Sequence, residues 1–383
     1  MKDVKLRILL VSEDNLAGIG RYSFRFYQNF IKLFNIPIEL IRIKRKASFF
    51  KKIDFLFRII SKMDKTEIIN CHVGYNSFGN LTPLMISIIA LFAFLRRKGF
   101  ILTQHDVISS STNLSLFKVK RSKIAMFFLR AYLKFVSYLS SAIVVQSISH
   151  AKILHDEYKI DMNKIRVVPH AIGDETLDKR ITQKKLRLLK NKFKIKNKKV
   201  ILFFGSLAPY KGVENLILAF DKIVREKSFT NTILLIVGNF HPTKGKEYYS
   251  YLRNLTQKMQ LTNNVLFIKN IHDDDIKYFC RIADTIVLPY LVVPGAPGSL
   301  FLIIPFLDIP IITTSPIREY VKDSSIVTKS DPTSISRTIK IVLNMGEKDK
   351  KKLIYNLKSL YKKWNWKNVL EKYVQLYRNL IKQ

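Results

Sequence analysis

Short apolar runs alternate with helical stretches along the whole chain, and the alternation restarts once, near residue 199. LRILLVS opens the first series and RYSFRFYQNFIKLF supplies its first helix. IELIRI, EIINCHV, FILTQHD and AIVVQS follow as strands, and IRVVPHA closes the series at Ala171. Strands separated by helices join by crossovers, which predicts a parallel sheet with helices on both faces. Such a sheet binds ligands beyond the C-terminal ends of its strands. The polar, lysine-rich stretch from Gly173 to Lys199 reads as a connection plus a surface helix. VILFFGS, VENLILAFDKIV, TILLIVGN, NVLFIKN, DTIVLPY and PIITTS then repeat the pattern. The expected architecture is α/β, with two open sheets facing each other across a cleft.

Composition agrees with two cores. A chain of 383 residues is too long for one ordinary core, and 48% hydrophobic residues fill two. Cys71 and Cys280 are far apart and form no CxxC pair, so no metal cluster or disulfide framework is expected. A reducing, cytoplasmic setting follows. No secretory signal precedes the first strand. The apolar run Leu84–Leu95 falls well short of the roughly twenty residues of a membrane span, so it is expected to be a buried helix. Met126–Val145 is cut by Arg130 and Lys134.

The net charge of +37 attracts polyanions: nucleic acid, anionic lipid or phosphorylated substrates. A lysine-rich compositional bias spread over the whole chain accounts for it equally well. No nucleic-acid-binding signature accompanies it, so nucleic acid is not an expected partner. FFKKIDFLFRIISK (Phe49–Lys62) and KVKRSKIAMFFLRAYLKF (Lys118–Phe135) have the composition of a basic interfacial face. That face suits peripheral association with an anionic membrane and a lipid-linked acceptor. Packing of the apolar residues on the sheet, with the lysines solvated, is the other reading.

Two glycine loops are candidates for phosphate. In NLAGIGRYS, Gly18 and Gly20 follow a strand and precede a helix, where backbone N–H groups favour anions; a plain strand-to-helix turn fits as well. In FFGSLAPYKGVENLILAF a strand ends at Gly205, and the loop places Lys211 at the start of the next helix. A leaving diphosphate gains charge in the transition state, and a fixed cation stabilises it. As a loop lysine, Lys211 is expected to have little to pack against.

These segments, taken in order, resemble the family 4 (group 1) glycosyltransferases with the GT-B fold, two Rossmann-like domains with the active site between them. GIGRYS resembles the N-terminal glycine loop, QHD (Gln104–Asp106) the loop of the active-site His, and VVPHAI the segment leading into the hinge. FFGSLAPYKG resembles the donor-phosphate loop, and LLIVGN the strand after it. IADTIVLPY, DIPIITTSPIRE and WNWKNVLEKYVQLY resemble the closing elements. The resemblance implies an N-terminal acceptor domain over 1–175 and a donor domain over 190–360. It also implies a C-terminal helix, 365–383, that packs back on the first domain. A nucleotide-diphosphate sugar is the implied co-substrate, with no other cofactor and no metal, and transfer proceeds with retention. The acceptor is a glycan, lipid-linked or of the cell envelope. His105 and Lys211 become the implied catalytic residues. Gly18, Gly20, Gly205, Ser206, Gly298, Ser299, Leu300 and Glu319 bind the donor, while His72, Asp106 and His170 line the cleft.

The chain departs from the family pattern in two places. Ser206 stands where a basic residue usually follows the loop glycine, and Gly295 and Ile303 replace a usual pair of glutamates. Amides of Gly298, Ser299 and Leu300 at a helix start are the expected substitute. The departures leave a second reading open, a catalytically inactive GT-B binding or scaffold subunit. A nicotinamide dehydrogenase built on Gly18 and Gly20 is disfavoured by the second phosphate loop.

Overall fold

In the computed structural model, which describes residues 6–14, 18–109, 123–173, 180–240 and 245–382, the two strand series form two six-stranded parallel sheets. The first contains β1 (Ile8–Glu13), β2 (Ile38–Ile43), β3 (Ile68–Val73), β4 (Gly99–Gln104), β5 (Ala142–Val145) and β6 (Ile165–Val167). Its crossovers carry α1 (Gly18–Leu33), α2 (Phe49–Met63), α3 (Thr82–Leu95), α4 (Lys123–Leu139) and α5 (Ile148–Asp156). The spatial order β2-β1-β3-β4-β5-β6 reverses direction beside β1, which places the crevice at the β1 and β3 ends.

After α6 (Gln183–Lys192) the second sheet is built from β7 (Lys199–Phe204), β8 (Thr232–Val237), β9 (Val265–Ile268), β10 (Thr285–Leu288), β11 (Ile311–Thr314) and β12 (Ile326–Thr328). Between them run α7 (Val213–Val224), α8 (Gly245–Lys258), α9 (Ile276–Ile282), α10 (Gly298–Ile303) and α11 (Arg318–Val321). Three helices close the chain: α12 (Pro332–Leu343), α13 (Glu347–Lys363) and α14 (Trp366–Ile381). The order β12-β11-β10-β7-β8-β9 repeats the reversal beside β7.

Period-two alternation divides each strand between two cores. In β1, Leu9 and Val11 face the core under α2–α5, whereas Ile8 and Leu10 face the core under α1 and α14. That second face holds Trp366, Tyr373 and Tyr377 of α14, all buried, so the last helix of the chain closes the first sheet. The same alternation puts Asn70, His72 and Thr103, all fully buried, beneath α14. An aromatic helix over a polar strand end is satisfied by hydrogen bonds: Asn70 Nδ2 donates to the Tyr377 hydroxyl at 2.7 Å, and Thr103 donates to Asn70 Oδ1 at 2.8 Å.

The run expected to be a buried helix is α3, but only its inner half is buried. Met85, Ile86, Ile89 and Ala93 pack on the sheet, while Leu84, Leu91, Phe94 and Leu95 are exposed. One helical layer covers each face of the sheet, so a helix apolar all round keeps an open outer side. No helix among the described residues is long and apolar enough to cross a membrane.

Candidate functional site

The C-terminal ends of the two sheets meet across the cleft, and they bury groups of opposite type, a lysine beside β7 and carboxyl groups beside β1. On the second sheet, β7 delivers the chain into Gly205 at φ +145°, a left-handed conformation that suits glycine. A Cβ there would lie 2.8 Å from Lys211 Nζ and 2.9 Å from Ser299 Oγ, so the glycine also supplies the space in which these groups meet. Lys211 donates to Ser299 Oγ at 3.2 Å, and its Nζ stands 5.2 Å from the Tyr290 ring centroid. The side chain is 4% exposed, contrary to the expectation that a loop lysine has little to pack against.

Burial pushes the Lys211 ammonium pKa down, with Tyr210 opposing that shift. A buried cation with a hydroxyl and a ring for company, and no carboxylate among the groups that shift it, has lost hydration without a full return. An anion placed beside it would restore what burial removes.

The other donor candidates divide. Ser206 is half-buried just past Gly205. The amides of Gly298 and Leu300 donate to the carbonyls of Ala296 and Pro297, both at 2.8 Å. α10 spans six residues, and the side chains of Leu300 and Ile303 are in the core of the second domain. Ile303 therefore faces away from the cleft altogether. Gly295, by contrast, bridges to Asp106, and a Cβ there would meet the His105 carbonyl at 2.5 Å. Val107 N–H donates to the Pro294 carbonyl at 2.8 Å, so this loop docks on the first domain through backbone.

On the first sheet one amide of the expected anion site has a partner within the protein. Glu13, the last residue of β1, accepts from the Gly20 amide and from the Ser77 hydroxyl, and Arg45 lies near. Burial raises its carboxyl above the ordinary range against those three influences. Gly18, at φ +57°, turns the chain into α1 with open space where a Cβ would stand. Asp106 lies close by: a Cβ on Gly74 would collide with its Oδ2. Burial, then the charge of Glu13, pushes the Asp106 carboxyl up to about 7. Within the protein, the Gly20 amide of the Gly18–Gly20 turn thus has a carboxyl group as its partner.

Three histidines form the floor between these ends. His105 Nδ1 faces the Gln146 side-chain amide at 2.9 Å, and its Nε2 faces His72 Nδ1 at 3.4 Å. Both ring nitrogens are committed within the first domain, so a sugar contact through the ring requires one of these bonds to open. His72 continues the chain to Asn70 at 3.3 Å. His170 packs between Tyr22 and Phe301 of the second domain, with tilted rings at centroid distances of 4.2 and 4.8 Å. Burial lowers the pKa of all three, that of His72 to about 3 and that of His170 to about 4, which keeps the floor uncharged at neutral pH.

Glu319, expected at the nucleotide, bonds to the first domain. Its Oε1 accepts from the amides of Ile148 at 2.6 Å and Ser149 at 3.1 Å, capping α5 across the domain boundary. Arg21 of α1 pairs with Asp273 of the second domain, and Arg25 stands 3.6 Å from the same carboxylate. No group of three or more His, Cys, Asp or Glu side chains that could hold a metal ion occurs among the described residues. Sequence reasoning missed Glu13, Gln146 and Tyr290. Glu13 and Gln146 share one usable signal, a polar residue at or just past the C-terminal end of an apolar strand.

Comparison with known proteins agrees with this geometry. Residues 186–360 match the family model described as Glycosyl transferases group 1. Over 253 residues the chain is 24% identical to the uncharacterized glycosyltransferase MJ1607 of Methanocaldococcus jannaschii, covering 63% of this chain and 62% of that protein. Over 100 residues it is 34% identical to the putative glycosyltransferase YtcC of Bacillus subtilis, covering 26% of this chain and 24% of that protein. The matches thus span less than two thirds of the length of either relative. Among solved structures, Anabaena Alr3699/HepE in complex with UDP superposes with a TM-score of 0.76 at 13% identity, covering 98% of this chain and 100% of that one. A glycosyltransferase from Rickettsia africae ESF-5 superposes with a TM-score of 0.77 at 16% identity, covering 99% and 100%. The fold is GT-B.

Proposed function

We propose that the protein is a glycosyltransferase of the group 1 type that moves a sugar from a nucleoside-diphosphate donor to an acceptor hydroxyl. The observation that carries this reading is the buried, carboxylate-free ammonium of Lys211, held beside Ser299 and Gly205 at the mouth of β7. It lies within the segment that matches the group 1 family model. UDP is the nucleotide to test first, because HepE, of the same fold, was solved with UDP and with UDP-glucose.

The chemistry follows from the charge arrangement. The diphosphate occupies the Lys211 side, where its negative charge grows as the bond to the anomeric carbon breaks. The acceptor enters from the first domain and attacks on the face the diphosphate leaves, giving retention. A leaving-group phosphate oxygen takes the acceptor proton, so charge and protons balance without a metal ion. The histidine floor, kept neutral by burial, adds no positive charge beside the anomeric carbon as that carbon becomes cationic. The acceptor class is a lipid-linked or cell-envelope glycan, supported by the apolar and basic outer layer of the first domain.

The test is turnover of a nucleotide-sugar panel by wild type and Lys211→Met. The methionine keeps the buried volume, so the fold survives, and turnover falls by about two to three orders of magnitude. Wild-type protein that binds nucleoside diphosphate but neither transfers nor hydrolyses any donor would instead establish the scaffold reading.

A further inference from the structure

The first domain presents an outer surface that its own core does not need. α2, α3 and α4 lie side by side on one face of the sheet, in that order. Phe50 is 81% exposed and Phe57 67% on α2. Leu84 and Leu95 are 56% and 65% exposed on α3, and Phe127 and Phe128 about two thirds exposed on α4. The inner faces of the same helices supply Phe55, Ile59, Ile86, Ile89, Leu133 and Val136 to the core, so packing on the sheet does not account for the outer aromatics. α3 carries no charged residue at all, and a helix apolar all round belongs inside a protein or against lipid.

Charge frames this apolar strip. Lys51, Lys52, Arg58 and Lys62 lie on α2 against the single carboxylate Asp54. Arg96, Arg97 and Lys98 follow α3, and Arg130 and Lys134 interrupt α4. At the foot of α2 a cavity of about 540 Å³ is lined by Arg42, Lys44, Lys46, Lys51 and Arg58. Asp14 and Asp54 also line it, and Asp14 pairs with Arg42 at 3.1 Å. The cavity opens beside the C-terminal ends of β1 and β2, the edge of the sheet that faces the cleft.

We propose that this layer seats the protein on an anionic phospholipid bilayer. The exposed aromatics enter the interface, and the cavity at the foot of α2 receives a headgroup phosphate. A partner with an apolar interior and a negatively charged surface is what an apolar strip framed by cations fits; a protein partner has to be complementary in shape as well. Membrane seating does not depend on the transferase reading. Only its consequence does, namely that a lipid-linked acceptor arrives at the cleft edge already oriented.

The experiment is flotation of the full chain with vesicles of phosphatidylcholine alone and of an equal mixture with phosphatidylglycerol. The protein floats with the mixed vesicles only and is released in 1 M salt, where the Debye length shrinks to about 3 Å. Phe50→Ser weakens the interaction about tenfold, because the ring leaves the interface. Lys51→Glu combined with Arg58→Glu weakens it by at least about twentyfold. Circular-dichroism melts of both variants match wild type, since the side chains changed are on the surface. Equal flotation with both vesicle types, flotation with neither, or unchanged binding by the folded variants overturns the proposal. So does self-association that Phe50→Ser abolishes, which would make the layer an interface between copies. None of these outcomes bears on donor turnover, so failure here and failure of the transferase reading are distinguishable.

Discussion

The two strand mouths that face each other have the same topology and bury ionisable groups of opposite type. At β7 the protein buries a cation, Lys211, and gives it a hydroxyl and a ring. At β1 it buries a carboxylate, Glu13, and gives it the Gly20 amide and the Ser77 hydroxyl. One end lacks an anion and the other supplies its own. A parallel sheet fixes where a ligand binds; the residues at and just past a strand's end decide its charge. The proposed reading accordingly puts the diphosphate at β7 and the acceptor hydroxyl at the β1 end.

The largest effect that would sharpen this contrast comes from Gly205. A valine there would push β-carbons into Lys211 Nζ and Ser299 Oγ and would have to adopt φ +145°. Gly205→Val is expected to abolish nucleoside-diphosphate binding in calorimetry and to cost about 2–3 kcal/mol of stability through backbone strain. Retained binding would mean that Lys211 and Ser299 need not meet.

Much of the architecture was legible in the sequence. Both strand series, the restart near residue 199 and the place of Lys211 before α7 follow from apolar periodicity and one glycine loop. What was not legible depends on residues remote along the chain. Lys211 meets Ser299 across 88 positions, so its burial could not be read from the loop alone. Glu13 was overlooked because the adjacent glycines read as an anion site, whereas Ser77 and Arg45, which come from later segments, make that place home to a carboxylate. Gly295 and Ile303 read as two lost ligands, yet they differ physically. Gly295 permits a backbone contact with His105, and Ile303 is core. The bonds of Glu319 were not legible either, because its partners, the Ile148 and Ser149 amides, belong to the other domain.

A smaller effect tests the acidic end. Asp106 has its carboxyl pushed up to about 7 from 3.8, so between those values the folded protein holds a proton that the unfolded chain has released. Its contribution to stability is full below the lower value and is lost as pH rises through the upper one. The slope reaches at most about 1.4 kcal/mol per pH unit. Urea titrations from pH 5 to 7.5 should show wild-type stability falling over this window and Asp106→Asn flattening the fall. An unchanged slope in the variant would place the shift on another group.

The claim that the site is centred on phosphate is tested most directly by calorimetric titration of wild type and Lys211→Met with uridine and with UDP, repeated with the guanosine and adenosine pairs if neither binds. Losing a charge-assisted contact to a buried cation costs about 1.5–3 kcal/mol. The account predicts that one nucleoside diphosphate binds wild type at least about tenfold more tightly than its nucleoside, and that Lys211→Met removes most of that difference. A nucleoside that binds wild type as tightly as its diphosphate, or a difference that survives in Lys211→Met, would contradict it.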